Sequence, residues 1–171
     1  VAARLGWVEV PYVTVSAPHA DLAQNLMKVG RVAGRDCWIV PGMSLDSEAQ
    51  PEVMRGEECQ ILGALLARQK SDGTFLLPVT HSKWARVSDR RLIAFRTYIT
   101  GEMFNLLRQS GTLAQLMAGD GADEDAFARG VHATGPDTEL LNRLFSARSL
   151  ALFGRLEGRE VASYVSGMLF A

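Results

Sequence analysis

The chain has 171 residues, 47% of them apolar and 22% charged, with 18 Lys and Arg against 19 Asp and Glu for a net charge of −1. That composition suits one globular domain or two small lobes with a proper core, and it excludes disordered and collagen-like chains. The charge balance offers no basic footprint for duplex nucleic acid, and the longest clean apolar run, Ile61 to Ala67, is too short to cross a bilayer.

Val8, Val10 and Tyr12 alternate with Glu9 and Pro11, and Val13 and Val15 follow. This predicts an extended edge segment, because proline cannot donate to a central ladder. Asp21 to Val29 carries Leu22, Leu26 and Val29 at helical spacing, with Gly30 as a stop. Cys37 to Val40 reads as a short buried strand ended by the turn dipeptide Pro41-Gly42. Residues 44–51 are polar and loop-like. A helix is expected from about Val53 to Gln69, with Ile61, Leu62, Leu65 and Leu66 as its apolar stripe. Ser71-Asp72-Gly73 is a loop and a candidate lobe boundary.

Three strands follow: Phe75 to Leu77, Lys83 to Val87, and Leu92 to Ile99, with a turn at Ser88 to Arg91. Thr100 is a suitable N-cap for a helix from Gly101 to about Met117. The pattern is a β-β-β-α unit. Asp123 to Val131, Asp137 to about Leu152, and Glu157 to Ala171 complete the chain as helices, with Asp137 as the cap of its helix. Trp7, Trp38 and Trp84 are expected in the core. No aromatic and basic residues interleave on one face, which argues against single-stranded nucleic acid as a partner.

Cys37 and Cys59 form neither a disulfide framework nor a Cys-x-x-Cys site, which points to a reducing cytoplasm. His19, His81 and His132 lack metal-ligand spacing, so no protein-held metal is expected. No P-loop, dinucleotide fingerprint or Gly-x-Ser-x-Gly elbow occurs. The opening residues show no secretory pattern, and the apolar ending at Met168 to Ala171 has no helix stop. The chain is therefore expected to be an excerpt of a longer protein.

Three clusters could carry chemistry. Arg55-Gly56-Glu57-Glu58 puts two carboxylates at a helix start. They serve either the helix dipole or, as a general base, a substrate hydroxyl. Thr80-His81-Ser82-Lys83 lies in the first hairpin of the β-β-β-α unit. It is either a plain polar turn or a cradle for an anion such as phosphate. Arg96 and Thr97, with Thr100 and Glu102, form either an ordinary strand-to-helix junction or a seat for a carboxylate-bearing ligand.

Taken together, five stretches in order resemble the 2-dehydro-3-deoxygalactonokinase family of bacterial sugar-acid kinases. They are Trp38-Ile39-Val40-Pro41-Gly42, Val53 to Glu58, Thr80-His81-Ser82-Lys83-Trp84, Phe95-Arg96-Thr97 with Thr100-Gly101-Glu102, and Tyr164 to Leu169. The resemblance implies a mixed α/β fold of the ribonuclease H-like, actin and hexokinase type, with two lobes around a cleft. Residues 1–70 would end the first lobe and residues 71–171 would open the second. It implies ATP-dependent phosphorylation of 2-dehydro-3-deoxy-galactonate at O6, with Mg²⁺ carried mainly by phosphates and water. The expected partners are the small sugar acid and ATP, and a homo-oligomer is compatible with this. Glu57 is the first choice for the base and Glu58 the second. Arg55 or Arg96 would clamp the substrate carboxylate, with Thr97, Thr100 and Glu102 nearby. Thr80, His81, Ser82 and Lys83 would face phosphate. The family carries Gly where Val79 stands, and its Asp-x-Gly-Ser-Thr phosphate loop and adenosine-binding region are not in this chain. The chain alone is then expected to be inactive. Two alternatives stand beside this: a catalytically silent sugar-acid sensor, and a kinase of the same fold for another sugar or sugar acid.

Overall fold

The computed structural model describes residues 10–16 and 19–171. Trp7, Val8 and the start of the expected edge segment lie outside the described residues. The chain is a mixture of helices and small sheets that divides into two compact units, residues 1–98 and residues 99–171.

In the first unit, β1 (Val13–Thr14) pairs in parallel with β4 (Met43–Leu45), which pairs antiparallel with β5 (Glu52–Met54). The helix expected over residues 21–29 is shorter. It is α1 (His19–Gln24), and Leu26 and Val29 do not lie on it. Asn25 closes α1 by donating its side-chain amide to the Asp21 carbonyl at 2.7 Å. The chain then enters β2 (Met27–Val32), paired with β3 (Arg35–Ile39) in an antiparallel hairpin. Trp38 sits in β3 but is 54% exposed, so it is not a core residue. A two-stranded ribbon has no second layer to cover its outer face.

The polar loop expected at 44–51 contains the end of β4, and Val53 is in β5 rather than in a helix. The helix α2 starts four residues later, at Glu57–Ala67. Its buried stripe is Ile61 and Leu65, with Leu62 partly covered and Leu66 pointing outward. An antiparallel sheet follows, made of β6 (Gly73–Leu77), β7 (Ser82–Ser88) and β8 (Arg91–Tyr98) in that spatial order. Asp89 and Arg90 both take positive φ in the two-residue turn joining β7 to β8, the geometry that matches strand twist in tight hairpins. Ala85, Val87, Leu92 and Phe95 pack against Met43, Met54, Ile61 and Leu65, forming one core. Trp84 and Arg86 share the opposite face, and Trp84 is 48% exposed rather than buried. The expected lobe boundary at 70/71 falls inside this unit, in the loop leading to β6.

The second unit is helical. The helix expected to run to Met117 stops at Gln109: α3 (Thr100–Gln109) is followed by the one-turn α4 (Gly111–Ala114). Thr100 is inside α3 and buried, and the residue before the helix is Ile99, so Thr100 is not the cap. Next come α5 (Glu124–His132), α6 (Leu140–Leu152) and α7 (Gly158–Phe170). Asp123 caps α5 by accepting from the Ala126 amide at 2.8 Å. Asp137 caps nothing, because α6 starts three residues later with Glu139 before it. Glu157 and Glu160 close a capping box on α7. Ala126, Leu144, Ala147, Val161, Tyr164, Val165 and Met168 form this unit's own core. No helix among the described residues is long and apolar enough to cross a membrane.

Candidate functional site

The turn between β5 and α2 is shaped by the two carboxylates that follow it. Gly56 stands at φ 106°, a conformation open to glycine at little cost. No side chain caps α2 in the usual sense. Instead Glu57 Oε2 accepts from the Arg55 amide at 3.0 Å. Glu58 accepts from the Gly56 amide with both oxygens, at 2.9 and 2.7 Å. These backward bonds satisfy donors that a helix start leaves open.

The neighbouring glutamates differ in surroundings. Glu58 is only 2% exposed, over a small apolar cavity lined by Leu22, Met43, Ile61, Leu65 and Leu92. Burial pushes its carboxyl above the ordinary value, against the bonds from its own amide, the Gly56 amide and the Cys59 thiol. Desolvation, then the charge of Glu58, pushes the Cys59 thiol up to about 11. It therefore stays protonated at neutral pH and donates to Glu58 Oε1 at 3.4 Å. Glu57 is half-buried, and its carboxylate is the more accessible of the pair.

Because Glu58 binds its proton more tightly when folded, its contribution to stability is full below its unfolded value. It is lost as the pH rises through the folded value. Glu58→Gln is therefore expected to flatten the fall in stability as the pH rises above the ordinary carboxyl value. Urea midpoints at pH 5 and 7.5 measure it; an unchanged slope rejects the assignment.

Lys83 reaches the same region from β7. Its side chain is inward and buried, and Nζ donates to the Val53 carbonyl and to Thr97 Oγ1, each at 2.8 Å. Burial lowers its pKa, and the charges of Glu57 and Glu52 oppose that. Lys83 and Thr97 are register partners, so they share one face of the sheet. Glu52, which the motifs did not single out, completes the cluster. It is buried, accepting from the Thr97 amide at 3.0 Å and the Gln50 side chain at 3.1 Å. The only trace of it in the sequence is its alternation with Met54 in a short strand. Lys83→Met should strip two partly buried acceptors and two carboxylates of their cation. We expect a loss of about 3 kcal/mol in urea unfolding; a neutral result would show that the ammonium is dispensable.

Arg55 is committed to the chain itself. Nη2 donates to the Val10 carbonyl at 2.6 Å, and the guanidinium lies 4.7 Å from the Tyr12 ring centroid. Its Nε is buried without a partner. Arg96 is exposed beside Trp84, on the sheet face opposite Lys83 and Thr97. The structure thus brings Glu57, Glu52, Lys83 and Thr97 together and leaves Arg96 apart. Thr80 and His81 are exposed in the β6–β7 loop, and Ser82 is buried, with Oγ 3.5 Å from the Val79 carbonyl. Val79 takes no positive φ, so it carries no backbone strain in place of glycine. Thr100 and Glu102 belong to the second unit, in the first turn of α3.

A family model described as 2-keto-3-deoxy-galactonokinase matches residues 1–171. This chain belongs to that family. It is 30% identical over 169 residues to the 2-dehydro-3-deoxygalactonokinase of Escherichia coli (strain K12), covering 99% of this chain and 56% of the relative. It is 34% identical over 175 residues to a probable 2-dehydro-3-deoxygalactonokinase of Rhizobium meliloti (strain 1021), with 98% and 56% covered. A crystal structure of a candidate 2-dehydro-3-deoxygalactonokinase from Sinorhizobium meliloti superposes with a TM-score of 0.83 at 30% identity, covering 99% of this chain and 57% of that one. The chain thus spans little more than half the length of these galactonokinase relatives.

Proposed function

We propose that the whole protein is a sugar-acid kinase that transfers the γ-phosphoryl group of ATP to O6 of 2-dehydro-3-deoxy-galactonate. The observation that carries this reading is the gathering of Glu57, Glu52, Lys83 and Thr97 at adjoining ends of β5, β7 and β8, in a chain matched along its length by the galactonokinase family. On this reading the fold is ribonuclease H-like, with residues 1–70 ending one lobe and 71–171 opening the next. The β6–β8 sheet then sets its first hairpin beside the end of the first lobe.

Phosphoryl transfer asks mainly for positioning and charge stabilisation. Glu57, fixed by the Arg55 amide, takes the proton from the sugar hydroxyl. Glu58 holds the turn that presents Glu57. Lys83, tied to Val53 and Thr97, supplies a positive field from within the protein, so direct contact with phosphate falls to the exposed Thr80 and His81 and the loop amides, with Ser82 buried behind them. With Arg55 occupied by Val10 and Tyr12 and Arg96 on the opposite face of the sheet, Thr97 remains the substrate-side candidate beside Glu57. Among the described residues no three acidic, His or Cys side chains gather as a metal site. On this reading Mg²⁺ would come with the nucleotide's phosphates and neutralise their charge.

Coupled ADP detection on the full-length protein, across a panel of sugar acids and sugars, tests the assignment. Turnover with 2-dehydro-3-deoxy-galactonate above all others is expected. Preference for another acid would keep the kinase and change its substrate. A second reading, a silent sugar-acid sensor, draws on Val79 at the hairpin and on the commitment of Lys83 to protein acceptors. Calorimetric binding of the sugar acid without nucleotide binding or ADP release would select it.

A further inference from the structure

β5 and β8 are edge strands of two different sheets, and among the described residues no ladder joins them. Side chains stitch one to the other instead, in a closed ring. Glu52 Oε2 accepts from the Thr97 amide at 3.0 Å. Thr97 Oγ1 accepts from Lys83 Nζ at 2.8 Å, and Nζ donates again to the Val53 carbonyl at 2.8 Å. Val53 is covalently next to Glu52, which completes the circuit. Thr97 takes part twice, with its amide and with its hydroxyl. On an edge strand an amide turned away from the sheet lacks a neighbouring strand, and Glu52 supplies the missing acceptor. Glu52 and Lys83 are only 7% and 5% exposed within this chain alone.

The place of the ring in the chain gives it a task. Glu57 follows Val53 by four residues, across the turn at Gly56, and Lys83 stands two residues beyond His81 of the β6–β7 loop. The ring thus ties the strand that leads to the proposed base to the strand that leaves the proposed phosphate loop. Glu52 is not itself placed to be the base. It is buried, and both oxygens are occupied, Oε1 by the Gln50 side chain at 3.1 Å. Resting on the kinase reading, we propose that Glu52 is a positioning residue for phosphoryl transfer: its carboxylate holds Thr97 so that the Thr97 hydroxyl and the Val53 carbonyl together fix the Lys83 ammonium. The charge of Glu52 has a second effect on the same group. Burial lowers the pKa of Lys83, and Glu57 from the start of α2 and Glu52 from β5 oppose that. The cations nearest on the strands, Arg86 and Arg96, lie on the other face of the sheet.

Steady-state kinetics on the full-length protein with ATP and 2-dehydro-3-deoxy-galactonate, beside NMR of protein carrying ¹³C-lysine, tests this. Glu52→Ala opens the ring and should lower kcat at least about tenfold, with both KM values within about threefold, because the loss is one of alignment. Glu52→Gln keeps an oxygen for the Thr97 amide and should retain kcat within about threefold at neutral pH. Circular dichroism spectra check that both variants fold. The Lys83 resonance, assigned by its absence from Lys83→Arg, should titrate at lower pH in Glu52→Gln than in wild type, since one of its two supporting carboxylates is gone. A merely structural Glu52 would not move it. Wild-type kcat in Glu52→Ala overturns the proposal, and so does an equal loss of kcat in both variants. An unmoved Lys83 titration overturns it as well, and this readout decides even where Glu52→Ala does not fold. A wild type that releases no ADP with any sugar acid overturns the kinase reading and the role in transfer with it, whereas a moved titration in that protein would still establish the link from Glu52 to Lys83.

Discussion

Glu57→Gln in the full-length protein is expected to lower kcat at least about a hundredfold, with the fold intact. Gln keeps the size of the side chain and an oxygen able to accept from the Arg55 amide, so the turn before α2 survives. What it loses is the capacity to take a proton from the sugar hydroxyl as the bond to phosphorus forms. The loss belongs in kcat, because the carboxylate acts on the reacting oxygen and not on the remainder of the sugar. Glu58→Gln is the matched control. Glu58 is buried with both oxygens on the Gly56 amide, so it should change turnover less than tenfold. Near-normal turnover in Glu57→Gln would eliminate the base assignment, and the reverse pattern would transfer it to Glu58.

Gly167→Ala and Gly130→Ala should be the most destabilising small substitutions in the second unit, each costing about 3 kcal/mol or more. The two glycines sit where α5 and α7 cross. A methyl on Gly167 would stand 2.1 Å from the Phe127 carbonyl oxygen and 2.9 Å from the Val131 amide nitrogen. One on Gly130 would stand 2.1 Å from the Tyr164 carbonyl oxygen. Both obstacles are helix backbone, which cannot swing aside as a side-chain tip can. The helices would have to separate, loosening the packing of Ala126, Val161, Val165 and Met168. Alanine's better helix propensity recovers only about 1 kcal/mol. Gly63→Ala in α2 supplies the comparison, since nothing lies within 4 Å of the added methyl. It should gain up to about 1 kcal/mol. Thermal melts of the three variants decide the matter. If Gly167→Ala melts no lower than wild type, the close crossing is wrong.

Local signals made much of this molecule legible. The alternation over residues 91–98 and the helical period after Glu157 describe elements whose own side chains carry the pattern. Asp123 could be read as a helix start because its cap bond spans three residues. The motifs around Glu57 and Lys83 were equally visible and carried the family resemblance. Misreadings arose where two local signals competed. Leu22, Leu26 and Val29 fit a helix, yet Met27 to Val32 found a partner strand in Arg35 to Ile39, and that ladder overrode the helical period.

The amino-acid order alone determined that Lys83 and Trp84, and likewise Arg96 and Thr97, point to opposite faces of their own strands, since strand side chains alternate. Only the tertiary structure decided which face is buried. That choice rests on the core supplied by Met43, Met54, Ile61 and Leu65, residues far along the chain. It sent two expected core and substrate groups outward and drew Lys83 inward, to an acceptor thirty residues away. Glu52 acquired its place in the cluster in the same way, through an amide forty-five residues distant. Periodicity reports neighbours within a turn or a pleat, whereas burial and charge pairing depend on what the fold brings from elsewhere.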